Sequence, residues 1–133
     1  MNIEVFSLCD AATADHGKLN MLGAFDTVMV EKVPATHSQC AVALRMRFES
    51  VEEGEHKVGV SFIDVNGKNI MPAVGGPVMV KHPEGRRSVS INLILSIHNL
   101  KFERPGEYSI ELAIDGRHEA SLPLFVHETA KRA

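Results

Sequence analysis

Residues 88–98 read Ser-Val-Ser-Ile-Asn-Leu-Ile-Leu-Ser-Ile-His. Val89, Ile91, Leu93, Leu95 and Ile97 share one parity. Ser88, Ser90, Asn92, Ser96 and His98 share the other, with Ile94 the only apolar residue among them. A strand turns successive side chains to opposite faces, so this period of two specifies a β-strand with one face in a core and the other toward water.

The same period recurs on either side. Val42, Leu44, Met46 and Phe48 alternate with Ala41, Ala43, Arg45, Arg47 and Glu49; Val58, Val60 and Phe62 fall on one parity of His56–Val65. Downstream, Tyr108, Ile110, Leu112 and Ile114 oppose Ser109, Glu111, Ala113 and Asp115. Ala120, Leu122, Leu124 and Val126 then repeat the pattern, with Pro123 on the opposite parity marking an edge. Two further stretches, Ile3–Thr13 and Leu19–Val30 (interrupted near Gly23), precede these strands.

Turn chemistry separates the segments. Pro34-Ala35-Thr36-His37-Ser38 reads as a loop, Asn66-Gly67 and Asp115-Gly116 as two-residue hairpin turns, and His82-Pro83-Glu84-Gly85 as the approach to residue 88. Parity shifts after Asn99, which suits a bulge or corner. Asn69–Val80 contains Pro72, Gly75, Gly76 and Pro77, so it is expected as an edge strand, a split strand or a loop crossing between sheets. These segments predict an all-β, single-domain antiparallel β-sandwich of about eight strands spanning residues 1–127, with 128–133 a frayed tail.

Composition sets outer bounds. The chain has 133 residues, 44% hydrophobic and 23% charged, ordinary values for one globular domain. A net charge of −3 argues against bulk nucleic-acid binding. No apolar run approaches the roughly 20 residues of a membrane helix, and the N-terminal residues do not read as a secretory leader. With no signal peptide read, Cys9 and Cys40 are expected as two reduced thiols, and the location as cytoplasmic. A Cys9–Cys40 bridge is the alternative for an exported chain.

Leu95, Ile97 and Leu100, followed by Gly106-Glu107-Tyr108-Ser109-Ile110, resemble the corner between the fifth and sixth strands of immunoglobulin-like sandwiches. The resemblance implies that Tyr108, the only tyrosine, closes a corner by bonding to upstream backbone. Three departures separate the chain from antibody-type domains: Arg104 stands in place of the usual Asp, Ile110 in place of the disulfide Cys, and tryptophan is absent. Leu8-Cys9-Asp10-Ala11-Ala12, together with the span from Gly106 to Gly116, also resembles a family of small uncharacterised bacterial proteins. That likeness implies fold and bacterial origin but no site.

No catalytic, cofactor or metal motif stands out. The seven histidines show no ligand spacing. Asp64-Val65-Asn66-Gly67 lacks the remaining ligands of a calcium loop. Arg45, Arg47, Arg86 and Arg87 read as solvated charge with cross-strand partners. Asn69–Val80 is different: it carries no charged residue yet holds Ile70, Met71, Val74, Val78 and Met79, the candidate interaction surface. The reading is a non-enzymatic interaction or assembly module acting through a sheet edge, with a protein partner or homo-oligomer and no cofactor, nucleic acid or membrane. The runner-up binds a small, sugar-like ligand through loops at one end of the sandwich. Third is a hydrolase using Asp10, Asp15 and His16.

Overall fold

The computed structural model describes residues 1–129. Nine strands form in chain order: β1 (Asn2–Asp15), β2 (Lys18–Ala24), β3 (Thr27–Val30), β4 (Ala35–Glu49), β5 (Gly54–Ile63), β6 (Val74–Val80), β7 (Ser88–Phe102), β8 (Gly106–Ile114) and β9 (Arg117–Glu128). They make two sheets, ordered β2-β1-β4-β7 and β3-β9-β8-β5-β6. The chain is thus all-β and two-layered. Only one short turn of 3-10 helix, Ser50–Glu52, joins the strands described.

The alternation places the core as expected. Val42, Leu44, Met46 and Phe48 from one sheet meet Val58, Val60, Phe62, Ile110, Leu112 and Leu124 from the other, all buried. At the far end of β7, Ile97, Leu100 and Phe102 are buried, so the inward parity changes between Ile97 and Leu100. Asn99 lies in that gap with a positive φ of 56°. Its neighbour β4 changes face at the same rung, from His37 to Cys40, so both strands bend together.

Several sequence expectations are corrected. The segment read as one strand, Leu19–Val30, is two strands in different sheets, because the chain crosses between layers at Phe25-Asp26. After the crossing β3 runs parallel to β9, so the five-stranded sheet is mixed and the strand count is nine. The stretch Pro34–Ser38, read as a loop, is largely strand: β4 starts at Ala35, where pairing with Phe102 and Lys101 of β7 overrides the turn-forming residues. Asn66-Gly67 is not a two-residue turn. The Gly67 N–H donates to the Asp64 carbonyl at 2.9 Å and only Gly67 of the pair has positive φ, because the Asp64 carboxylate organises a longer loop by accepting from the Asn66 and Lys68 amides. Asp115-Gly116 does form the expected tight hairpin, with both residues at positive φ (54° and 80°) as a type I′ turn requires.

Ile94, the apolar residue on the outer parity, has a local reason. The β1–β2 hairpin folds back over the outer face of its own sheet, and its tip carbonyl at Gly17 accepts from Arg45 at 3.2 Å. The hairpin's own Ala12 and Leu19 pack with Ile94 against buried Cys9, Ala41 and Ala43. Cys40, by contrast, lies in the main core. The two thiols are free and on opposite faces, so the alternative bridge does not form. Burial pushes Cys40 up to about 11 and raises Cys9, which keeps both protonated at neutral pH.

The expected frayed tail starts within described structure: Glu128 ends β9, and the Thr129 N–H donates to the Val30 carbonyl at 2.7 Å. Residues 130–133 lie outside the described residues.

Candidate functional site

One flank of the sandwich is left open. β6 ends the five-stranded sheet and β7 ends the four-stranded sheet, and the two strands lie near each other across the layers. A strand edge presents a row of unpaired backbone donors and acceptors, which proteins normally blunt with charge, proline, bulges or brevity. β3 has four residues and β2 has seven, the latter carrying Lys18. β6 contains Pro77, which has no N–H to offer. It also contains Gly75 at φ 143°, where a Cβ would run into the Val58 carbonyl. β7 has none of these devices between Ser88 and His98: no charged residue, no proline and no glycine. Its inward side chains Val89, Ile91, Leu93 and Leu95 pack on the core but remain only half-buried, because none of the described strands covers their outer side.

The sequence-derived surface falls on this flank. Ile70, Met71, Val74 and Val78 are half-buried and packed against the core, while Met79 is 57% exposed. The β7 edge was not singled out from sequence. Its alternation was visible, but edge position depends on which strands pair, and that is a non-local property.

Other polar groupings are structural in their geometry. Arg45 and Arg47 of β4 both clamp Glu4 of β1, at 2.9 and 2.6 Å, so the basic pair has a cross-strand partner. The Arg47 bond first, then that of Arg45, holds the Glu4 carboxyl below its ordinary range. His56 bridges two acceptors, with Nδ1 2.6 Å from Asp115 Oδ2 and Nε2 2.6 Å from the Glu52 carbonyl. A neutral imidazole has one N–H, so holding both bonds requires the imidazolium. The Glu52 carbonyl, then the Asp115 carboxylate, raise the His56 pKa accordingly. His82 contacts the end of β4, its Nε2 3.0 Å from the Phe48 carbonyl.

His118, Glu111 and Ser121 form a cluster on β8 and β9 that superficially resembles a hydrolytic triad. The geometry is wrong for one. His118 uses the same nitrogen, Nε2, toward both Glu111 (2.6 Å) and Ser121 (2.8 Å), whereas a triad histidine bridges acid and hydroxyl through different nitrogens. Ser121 itself donates to Glu111 at 2.6 Å. Burial raises the Glu111 carboxyl, but bonds from Ser109, Ser121 and His118 outweigh it and hold the group low.

The acid and base considered for hydrolysis do not make a site either. Asp15 and His16 pair at the hairpin tip, 71% and 85% exposed, and Asp10 lies against Gly23. Among the described residues no group of three or more His, Cys, Asp or Glu is placed to hold a metal ion.

At one end of the sandwich a cleft of about 610 Å³ opens between the Asp64–Ile70 loop and the β7–β8 corner. Lys68, Lys101 and Arg104 line it together with Asp64, Glu103 and Glu107. At its base the Tyr108 hydroxyl donates to the Arg104 carbonyl at 2.7 Å, and the ring stacks edge-on against Phe102.

These features define an all-β, two-sheet protein in which no enzyme site is evident among the described residues. Residues 4–127 match the model of a family of unknown function, DUF6941, and the chain belongs to that family. No curated protein matches it. Among solved structures, the Pseudomonas fluorescens alkylpurine DNA glycosylase AlkC, bound to DNA containing an abasic site analogue, is similar over 77% of this chain with 7% identity and a TM-score of 0.48. This chain spans only 28% of that one, and the likeness carries no argument about fold or activity.

Proposed function

We propose that the chain is an immunoglobulin-like sandwich acting as a non-enzymatic assembly module, which accepts an extended strand along its open flank. Strand order supports the fold reading. Immunoglobulin constant-type domains set strands A, B, E and D against C, F and G. Here β1-β4-β7 match A-B-E, and β5-β8-β9 match C-F-G in their own sheet. The Tyr108 hydroxyl sits at the E–F corner as in those domains. The D strand, which would pair along the outer edge of E, has no counterpart beside β7 among the described residues.

The observation that carries the functional reading is the unguarded edge of β7 from Ser88 to His98, backed by half-buried apolar side chains. Strand addition to such an edge gains main-chain hydrogen bonds and completes burial of the alternate side chains. The surface expected from sequence, Ile70 to Met79, borders the same opening and serves as its second wall.

Photo-crosslinking in cells tests this reading. A photoreactive residue at Ser96 or Met79 is expected to form protein adducts, whereas one at Met29, 62% exposed on β3 at the opposite edge of the five-stranded sheet, is expected to form none. Absence of adducts from both flank positions would overturn it.

The end cleft favours a second reading, binding of a small polar ligand. A thermal-shift panel of sugars discriminates the two. The assembly reading expects no shift, whereas a shift abolished by Lys101→Ala favours the ligand reading.

A further inference from the structure

We infer that the strand received by the open flank is β7 of a second copy of this chain, paired antiparallel about a two-fold axis at Leu93. This rests on the reading that the flank accepts a strand, and it names the occupant.

A two-fold interface brings the same patch of both subunits together, so the patch must complement itself. Residues 88–98 do so. With Leu93 on the axis, Val89 faces the partner's Ile97 and Ile91 faces the partner's Leu95, which covers the side chains now half-buried. On the outer face Ser88 meets the partner's His98, Ser90 the partner's Ser96, and Asn92 the partner's Ile94. No like charges stand opposite one another, which would otherwise destabilise the pairing. Just beyond the run, Arg87 faces the partner's Asn99 and Arg86 the partner's Leu100, so the flanking cations avoid each other too. Moving the axis by one residue to either side leaves part of the uncharged run without a counterpart.

The neighbouring edges explain why pairing stops at two. In the other sheet the β6 edges of the two copies meet, and Pro77 and the constrained Gly75 keep them from zipping together. The remaining edges, β2 and β3, are the short ones. The product is a closed dimer with one sheet continuous through both copies, not a filament.

The experiment is sedimentation equilibrium on the full chain across a wide concentration range, with charge variants on the exposed side of β7. The unmodified chain is expected to dimerise. A chain carrying Ser90→Lys with Ser96→Lys puts like charges opposite each other twice, and so does one carrying Ser90→Glu with Ser96→Glu. Each alone is expected to self-associate roughly tenfold more weakly or worse. Mixing the two in equal amounts places Lys opposite Glu and is expected to restore the dimer as a mixed pair.

Circular dichroism on each chain separates lost pairing from lost folding, and recovery on mixing is itself proof of folded partners. A monomer at every concentration, or a dimer indifferent to these substitutions, overturns the inference. If the chain is monomeric while Ser96 still crosslinks to another protein in cells, the occupant is wrong and the strand-accepting flank stands. If neither occurs, both fail.

Discussion

On the flank where β1 faces β9, the chain itself joins the two sheets. The Phe25 N–H donates to the Leu8 carbonyl at 3.0 Å, the Phe125 N–H donates to the Asp26 carbonyl at 2.7 Å, and Leu8, Val28 and Val126 are buried beneath the crossing. On the opposite flank, where β6 faces β7, the connection through residues 81–87 passes without adding a strand, and Val89, Ile91, Leu93 and Leu95 stay half-buried. Apolar side chains line both flanks, and away from the crossing Ile3, Phe6 and Leu122 on the joined side are half-buried as well. What differs is whether the chain supplies the covering strand. An incomplete core is thus a property of topology, and on the proposed reading the missing cover is where a strand docks.

Leu44 and Leu93 sharpen this contrast most, because they sit directly opposite each other on β4 and β7. Leu44 is fully buried and Leu93 is not. Leu44→Ala is expected to cost about 3–5 kcal/mol in urea unfolding of the monomer, and Leu93→Ala roughly half of that or less. Equal losses would show that the β6–β7 flank is as closed as the other. Next in size is Gly75→Ala. Its positive φ and the Val58 carbonyl leave no room for a methyl group, so a loss of about 2 kcal/mol or more is expected. An unchanged midpoint would mean that β6 is not held in this conformation. Smaller again is Tyr108→Phe, which removes the hydroxyl bond to Arg104 and is expected to cost about 1 kcal/mol without altering association.

The least is asked of the His56 brace. Its pKa is raised, first by the Glu52 carbonyl and then by Asp115, so its contribution is complete below the ordinary imidazole value of 6.5 and is lost as pH rises through the raised value. Asp115 is held low, chiefly by the Lys57 amide, so its contribution is present above its ordinary 3.8 and is lost as pH falls through the lowered value. The brace is therefore intact between these two limits. NMR titration is expected to give His56 a midpoint above 6.5, and His56→Ala to flatten the decline in stability on the alkaline side. A midpoint at or below 6.5 would contradict the doubly bonded imidazolium.

Much of the fold was legible because its signals are local. Alternation in residues 88–98 and in Val42–Phe48 identified the core faces, and the loss of parity after Asn99 marked a bend. Asp115-Gly116 declared its turn through residues that tolerate positive φ. The split of Leu19–Val30 between sheets was not legible, since nothing in four residues of β3 says that their partner is β9, almost a hundred positions away. Ala41 and Ala43 looked like outward residues, and only the folded-back hairpin explains their burial. The flank on which the proposal rests was legible only in part. The absence of charge in Asn69–Val80 is visible in the sequence, but the edge position of β7 depends on which of the described strands pair, which is not.

Hydrogen exchange along β7 reads the open edge amide by amide. In the chain carrying Ser90→Lys with Ser96→Lys, alternate amides between Ser88 and His98, those facing away from β4, are expected to exchange rapidly. The amides of β4, paired on both sides, are expected to stay protected. In the unmodified chain at high concentration the same alternate β7 amides are expected to become protected. Protection that is uniform along β7 in both chains would contradict an edge left open to receive a strand, and rapid exchange that persists in both would contradict its pairing with a second copy.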